Sequence, residues 1–470
     1  MALPNVMVIQ SADPNEKGYV YRKDEDGIVA FGEESVFSTR ARIEVEPAKT
    51  DSKYVNLRFS YSNRYMQRPV FLSYGLAAVG LAPLEDTSSP FCTLFEPVKV
   101  DNGDDDDDVF YFIHAESGGR LAIDIANMSF FVDIFGTSAS QGHLRVVDLD
   151  SLVRLPVRGN LAFIGDNGKY LKAFTWFINY FQLSSDIPND TLSRHQVTEQ
   201  PDGHVRLTSI HWSALWNLAN SGWILGNTTN ANSPNTLFWP VKINGNTIAL
   251  RAADGKFCQR RVTNNLANGS IGTEVSSLTK QAELQVEELV AKSLVHNVRY
   301  QVEYGRIFDE TSYTGWSSTV VNSQDVEVTI SLSFSYQDTK EYTFARSYTL
   351  ETGVPTLFDS ALPFVSKDGS IDDAAAKISA LLQWNAANTM TATVTGKGSV
   401  TLPAKTSAVV SYVGKRGTCN VPFYYTQADT VVNAPIGSLP VEVVSEGIDG
   451  LYTATNTYDF NLVIEKTHAI

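Results

Sequence analysis

The chain of 470 residues is poor in the features that usually announce a mechanism. It has three cysteines, Cys92, Cys258 and Cys419, widely spaced and odd in number. Neither a disulfide framework nor a metal site is expected from them, and no cofactor is implied. No apolar run reaches the eighteen or so residues that a membrane helix needs; Ala173 to Phe181 and Gly75 to Leu84 come nearest. The start, Met1-Ala2-Leu3-Pro4, lacks a basic region followed by an apolar core, so no secretory signal is expected and the protein reads as soluble and cytoplasmic. On that expectation the sequons at Asn127-Met128-Ser129 and Asn227-Thr228-Thr229 go unused. Basic residues are outnumbered, 37 against 52 acidic ones, for a formal charge of −15. That argues against a nucleic-acid partner and against simple electrostatic docking on anionic lipid. Catalytic signatures are missing as well. His204 and His211 are seven apart rather than the four that sets two ligands on one helical face, and there is no Gly-x-Ser-x-Gly or phosphate loop, so no enzyme is expected.

What the chain does contain is β-forming sequence and repetition. Aromatic residues make up 11%, with Phe and Tyr leading, which suits strands. Thr93-Leu94-Phe95-Glu96-Pro97-Val98-Lys99-Val100 returns as Thr236-Leu237-Phe238-Trp239-Pro240-Val241-Lys242-Ile243, an offset of 143 residues, so two copies of one domain follow. A finer repeat of a turn residue and an aromatic or Leu runs inside each copy. It stands at Gly18-Tyr19-Val20, Asn63-Arg64-Tyr65-Met66 and Gly119-Arg120-Leu121-Ala122, then at Gly168-Lys169-Tyr170-Leu171, a degenerate Ala214-Leu215-Trp216, and Gly255-Lys256-Phe257-Cys258. Three units per copy point to a threefold β-trefoil. The boundary between copies is expected near Val153-Arg154-Leu155-Pro156, and the carboxylate run Asp104 to Asp108 reads as a solvated hairpin loop.

Past Leu294 the trefoil turns give way to long Ser/Thr-rich alternation, at Val298 to Tyr304, Val326 to Tyr336, Thr389 to Val413 and Tyr458 to Glu465. Strands of that length imply an elongated sheet. Between them, residues 344–384 can be read two ways. Phe344, Tyr348, Leu350 and Val354 alternate with polar residues, and after an apolar tip at Leu362-Pro363-Phe364-Val365 the return arm sets Ile378 and Leu382 opposite Lys377, Ser379 and Gln383. The same return arm fits a helix capped by Ser370.

On these motifs the first two domains resemble the amaranthin family of plant lectins, from Leu3 to about Leu289. The resemblance is carried by Ile43-Glu44-Val45-Glu46-Pro47-Ala48-Lys49-Thr50, Cys92-Thr93-Leu94-Phe95-Glu96-Pro97 and Asn167-Gly168-Lys169-Tyr170-Leu171. The remainder resembles the aerolysin-type pore-forming module in Gln383-Trp384-Asn385, Leu402-Pro403-Ala404-Lys405, Asn420-Val421-Pro422-Phe423 and Asp449-Gly450-Leu451-Tyr452. The resemblance implies an all-β chain: two tandem β-trefoils at 1–152 and 153–292, then an aerolysin-like elongated antiparallel sheet at 293–470 with an insertion hairpin at about 344–384. It implies a pore-forming lectin of plant defence, recruited by glycans of galactose or N-acetylgalactosamine type, dimeric through its trefoils or assembled as a ring in a target membrane. The alternative is a carbohydrate-binding protein whose last domain only mediates oligomerisation. Sugar contacts are expected at Ser73 and Tyr74 of trefoil one, and at the ring-and-amide cluster Trp212, Trp216, Asn217, Asn220, Trp223 and Asn227 of trefoil two. Membrane insertion is expected at Tyr348, Leu350, Val354, Leu362, Phe364, Val365, Ile378 and Leu382, with arms at 346–356 and 373–384.

Overall fold

The computed structural model describes residues 3–69, 75–100, 108–136, 142–157, 159–187, 190–346, 350, 353–431 and 441–470, with the backbone alone at 448–449. Ser73, Tyr74 and Tyr348 lie outside the described residues, as does all of the carboxylate run except Asp108, which pairs with Lys99 at 3.4 Å. Among the described residues there is no α-helix; antiparallel strands and short 3₁₀ turns account for the regular structure.

Strands β1 (Val6–Ser11), β2 (Tyr19–Arg22), β3 (Val29–Glu33) and β4 (Ile43–Pro47) form a first four-strand unit. β5 (Val55–Phe59), β6 (Arg64–Gln67), β7 (Ala77–Gly80) and β8 (Leu94–Lys99) form a second, and β9 (Val109–His114), β10 (Arg120–Asp124), β11 (Ser129–Asp133) and β12 (Leu144–Asp148) a third. The outer strands of each unit close a six-stranded barrel: β1 pairs β4, β4 pairs β5, β5 pairs β8, β8 pairs β9, β9 pairs β12, and β12 returns to β1. The inner pairs β2–β3, β6–β7 and β10–β11 are the three hairpins that cap it. That pairing is a β-trefoil.

The pattern repeats with β13 (Leu161–Gly165), β14 (Tyr170–Trp176), β15 (Ile178–Ser185), β16 (His195–Glu199), β17 (Val205–Ser209), β18 (Ala214–Leu218), β19 (Ile224–Thr228), β20 (Phe238–Asn244), β21 (Thr247–Ala252), β22 (Cys258–Arg260), β23 (Ile271–Thr273) and β24 (Leu284–Glu288). Here β13, β16, β17, β20, β21 and β24 close the barrel, and β14–β15, β18–β19 and β22–β23 cap it.

All six copies of the short repeat fall where the chain enters the second strand of a unit, and the reason is local. Gly18, Asn63, Gly118, Gly168, Ser213 and Gly255, just before those strands, all have positive φ. Glycine and asparagine reach that region at low cost, which is why the repeat keeps its turn residue. Two residues after Gly18 and three after each of the other five stand Val20, Met66, Leu121, Leu171, Trp216 and Cys258, every one buried in its barrel core. Trp216 therefore fills a core position that its five equivalents also fill. The degenerate copy differs only in lending the left-handed turn to Ser213.

The chain divides into two compact units, Met1–Ser293 with Ser347–Val354 and Ala428–Val444, and Leu294–Arg346 with Pro355–Gln427 and Ser445–Ile470. The second is built from β26 (Arg306–Asn322), β27 (Val328–Ala345), β28 (Thr356–Val365), β29 (Ile371–Leu382), β30 (Asn388–Leu402) and the greater part of β25 (Val290–Tyr300), β31 (Thr406–Val431) and β32 (Val441–Ala469). The sheet runs β29-β28-β25-β31-β32-β27-β30, with β26 also on β31. Its strands reach 26 and 29 residues, as the Ser/Thr alternation predicts. On β27 and β30 facing threonines bond to each other, Thr329 to Thr401 at 2.9 Å and Thr339 to Thr391 at 3.1 Å. The apolar core of this unit gathers Tyr342, Phe344, Phe358, Leu362, Phe364, Phe423, Tyr425 and Tyr452.

Candidate functional site

Residues 356–382 form a hairpin within the stretch 344–384, its first arm starting at 356 rather than 346 and its return arm at 371 rather than 373. Its arms are β28 and β29, of ten and twelve residues, paired from Thr356 with Leu382 to Val365 with Ile371. Of the expected first arm, the described residues 346, 350 and 353–355 lie in no strand. Gly353 has positive φ and Pro355 has no N–H to give a ladder, so pairing starts only at Thr356. Leu350 is instead buried in the hydrophobic core of the second trefoil, and Val354 is half-buried outside any strand. Leu362, Phe364 and Val365 are not a tip but the buried end of β28, and the register shift between Leu362 and Phe364 accommodates Pro363. The turn is Ser366 to Ser370. There Asp368 accepts hydrogen bonds from the Ser366 hydroxyl and from the Ser370 hydroxyl and N–H, which pull its carboxyl down to about 2. Ser370, the N-cap of the helical reading, closes this turn.

The hairpin has two chemically distinct faces. Phe358, Ser360 and Leu362 stand opposite Ala380, Ile378 and Ala376 on the side packed into the core. Leu357, Asp359 and Ala361 stand opposite Leu381, Ser379 and Lys377 on the other. β29 is the sheet edge, and a few bonds hold the pair in place. Asn456 brackets Val365, accepting from its N–H at 2.9 Å and donating to its carbonyl at 2.8 Å. The Tyr300 hydroxyl donates to the Ala361 carbonyl at 2.7 Å. Phe358 packs on Phe344 at 4.6 Å and on Trp384 at 4.9 Å between ring centroids.

In the second trefoil the expected sugar cluster comes apart. Trp216 is 0% exposed, and its indole N–H donates to His195 Nδ1 at 3.1 Å. The other ring nitrogen of His195 faces the Leu171 carbonyl at 3.5 Å, so the imidazole is neutral with its proton on Nε2, and burial pushes its pKa down to about 4. A ring sealed in this way cannot stack on a sugar. Trp212 lies on Phe181 at 5.2 Å, and over Gly226, where a Cβ would meet its ring at 2.3 Å. Asn217 donates to Asn227 at 3.3 Å, two planar amides held side by side. Trp223 is covered by the Arg261 guanidinium 4.5 Å from its ring centroid and meets Tyr180 edge-on at 5.3 Å.

Asn220 sits elsewhere, in a polar cavity of about 460 Å³ with Ser221, Asn235, Asp254, Lys256 and Thr273. Asp254 accepts from the Thr273 hydroxyl at 2.7 Å. A second cavity of about 390 Å³ shares Ala253 with it and is walled by His204, Trp239 and Arg251. Carboxylate, amide and ammonium on one side of Ala253 and an indole on the other form a groove able to hold sugar hydroxyls and a sugar's apolar face. Asn235, Asp254, Lys256, His204 and Trp239 were not read as sugar contacts from the sequence, because they come from different trefoil units and meet only in the folded barrel. The three cysteines are buried and unpaired. Burial raises all three thiols, that of Cys419 to about 12, so they are inert packing residues. Among the described residues no cluster of His, Cys, Asp and Glu is arranged to hold a metal, and no helix is long and apolar enough to cross a membrane.

The molecule is thus an all-β chain with two trefoils and a long-stranded antiparallel sheet. Residues 1–116, most of the first trefoil, match the Agglutinin domain family. No curated protein matches the chain. Among solved structures it is similar to the lamprey immune protein, at 10% identity and a TM-score of 0.31, over 77% of this chain and 87% of that one. It is similar to the aerolysin-like protein of Bombina maxima at 10% identity and a TM-score of 0.25, over 37% of this chain and 99% of that one. Parasporin-2, a Bacillus thuringiensis toxin that recognises cancer cells, is similar at 16% identity and a TM-score of 0.23, over 37% of this chain and 74% of that one. Likenesses at this level carry no argument; the fold rests on the strand pairings above.

Proposed function

We propose that this chain is a pore-forming lectin: the trefoil domains, at 1–152 and 153–292, bind cell-surface glycans, and the domain at 293–470 oligomerises and inserts a β-barrel into the target membrane. The observation that carries the reading is the β28–β29 hairpin. Lipid leaves no backbone group unpaired, so a segment without a membrane helix crosses only within a closed barrel. A barrel strand needs about nine to eleven residues with alternating faces. Arms of ten and twelve residues support it, one face carrying Phe358, Leu362, Ala376, Ile378 and Ala380 around Ser360, the other carrying Asp359, Lys377 and Ser379 beside Leu357, Ala361 and Leu381. One hairpin per chain makes a ring of chains the functional unit. The Agglutinin match over 1–116 supports the carbohydrate half of the reading, and the work is binding and insertion rather than catalysis.

For the second trefoil the groove beside Ala253 is the proposed sugar site, with Asn220 kept from the sequence-based set and Asp254 as its anchor. A glycan array bearing terminal galactose and N-acetylgalactosamine tests it. Asp254→Ala loses a charge-assisted hydrogen bond, so binding drops about tenfold to a hundredfold, while unfolding midpoints stay close to the parent's. Equal binding by the variant removes the groove from the account, and an array with no bound glycan removes the lectin reading.

A further inference from the structure

Among the described residues, the apex of the β14–β15 hairpin carries the most exposed large apolar side chain of the trefoil region. Trp176, Phe177 and Ile178 stand in a row, 48%, 91% and 47% exposed, with Trp176 and Ile178 paired across the turn and Phe177 at its summit. Phe177 has φ +63°. Glycine or asparagine takes that conformation cheaply and a bulky aromatic does not, so the side chain is kept against a backbone cost. The trefoil does not need it for packing, because the ring is almost wholly in water, beside Trp176 at 5.1 Å between centroids.

We infer that this apex is a lipid-docking anchor that enters the interfacial layer of a bilayer without a glycan. Three observations choose that occupant. The three side chains offer roughly 400 Å² of apolar surface on ordinary aromatic areas, about half of what each side of a stable protein interface buries, so a second copy of this chain is poorly held by them. The feature is convex and narrow, which a rigid partner must match with a pocket but a fluid bilayer accommodates. Residues 173–182, the distal part of the hairpin, carry no charged side chain in a chain of formal charge −15, so no carboxylate of the apex itself opposes a bilayer surface. Exposed Leu266 adds an apolar shoulder: its carbonyl accepts from Tyr180 and Gln182 of the same hairpin, at 3.4 and 3.3 Å. Trp and Phe are the side chains that settle at the headgroup boundary.

The test is co-sedimentation of the full chain with phosphatidylcholine vesicles that display no glycan. Phe177→Asn keeps a residue at home in the left-handed conformation, and Phe177→Trp keeps an aromatic. The Asn variant is expected to partition about tenfold more weakly, and the Trp variant like the parent, with unfolding midpoints unchanged in both. Parent protein that ignores such vesicles, or an Asn variant that binds as well as the parent, overturns the anchor. So does concentration-dependent dimerisation of the parent that Phe177→Asn abolishes, which would assign the apex to a second copy. The inference stands apart from the pore, because Ile378→Arg leaves vesicle binding intact while it blocks leakage.

Discussion

Ile378→Arg abolishes leakage from glycan-bearing liposomes, and Ser379→Arg does not. Ile378 points with Phe358 and Leu362 into the core of the soluble form, and it is half-buried at the sheet edge, where a long side chain can reach water. In a barrel the same face meets lipid, and an arginine there costs about 2–4 kcal/mol at the bilayer midplane. Every subunit of a ring carries that cost, so the whole assembly loses it many times over. Ser379 is on the opposite face, towards water in the pore, so arginine there changes ion selectivity and leaves leakage in place. Dye release and reversal potentials in planar bilayers separate the two. Leakage by Ile378→Arg at the parent's rate would show that β29 does not face lipid.

Trp216→Ala destabilises the second trefoil by about 3–5 kcal/mol, the cost of emptying a buried Trp position. It also leaves His195 Nδ1 without its donor in a dry core. The same pair contributes to the response to acid, as does His114, which burial also holds below its ordinary value. The folded pKa of His195, about 4, is below the unfolded value of about 6.5, so the unfolded chain takes up the proton first. Stability is unaffected above the unfolded value. It then declines as pH falls from about 6.5 to about 4, by about 3 kcal/mol from His195. Denaturant unfolding at several pH values, followed by tryptophan fluorescence, measures both effects. A Trp216→Ala protein of unchanged stability that merely loses glycan binding would return Trp216 to the surface role first expected of it.

That residue shows where sequence reading stops and why. The six short repeats predict two barrels with three units each, because each marks a left-handed turn that feeds a strand. The repeat also places Trp216 level with Val20, Met66, Leu121, Leu171 and Cys258, yet a tryptophan beside asparagines invites a sugar reading before its threefold equivalents are consulted. The β28–β29 hairpin was legible as an element but not in register. Residues 344–354 alternate as well as 356–365 do, and the choice is made by Gly353, Pro355 and the pairing with β29, which also overrides the helical spacing of 371–382. The groove around Asp254 had no local signal. Asn220 and Asn235 come from one trefoil unit, and Asp254, Lys256 and Thr273 from the next.

The central claim is that the β28–β29 hairpin leaves its sheet to enter the membrane, and a reversible tether tests it most directly. Val365→Cys with Asn456→Cys replaces the hydrogen-bonded clasp between hairpin and β32 by a disulfide. The native thiols are buried and do not compete. Oxidised protein is expected to bind glycan-bearing liposomes and leave them sealed, and dithiothreitol to restore leakage in the same sample. Leakage from the oxidised form at the reduced rate would contradict the claim and leave a carbohydrate-binding protein whose long sheet serves assembly alone.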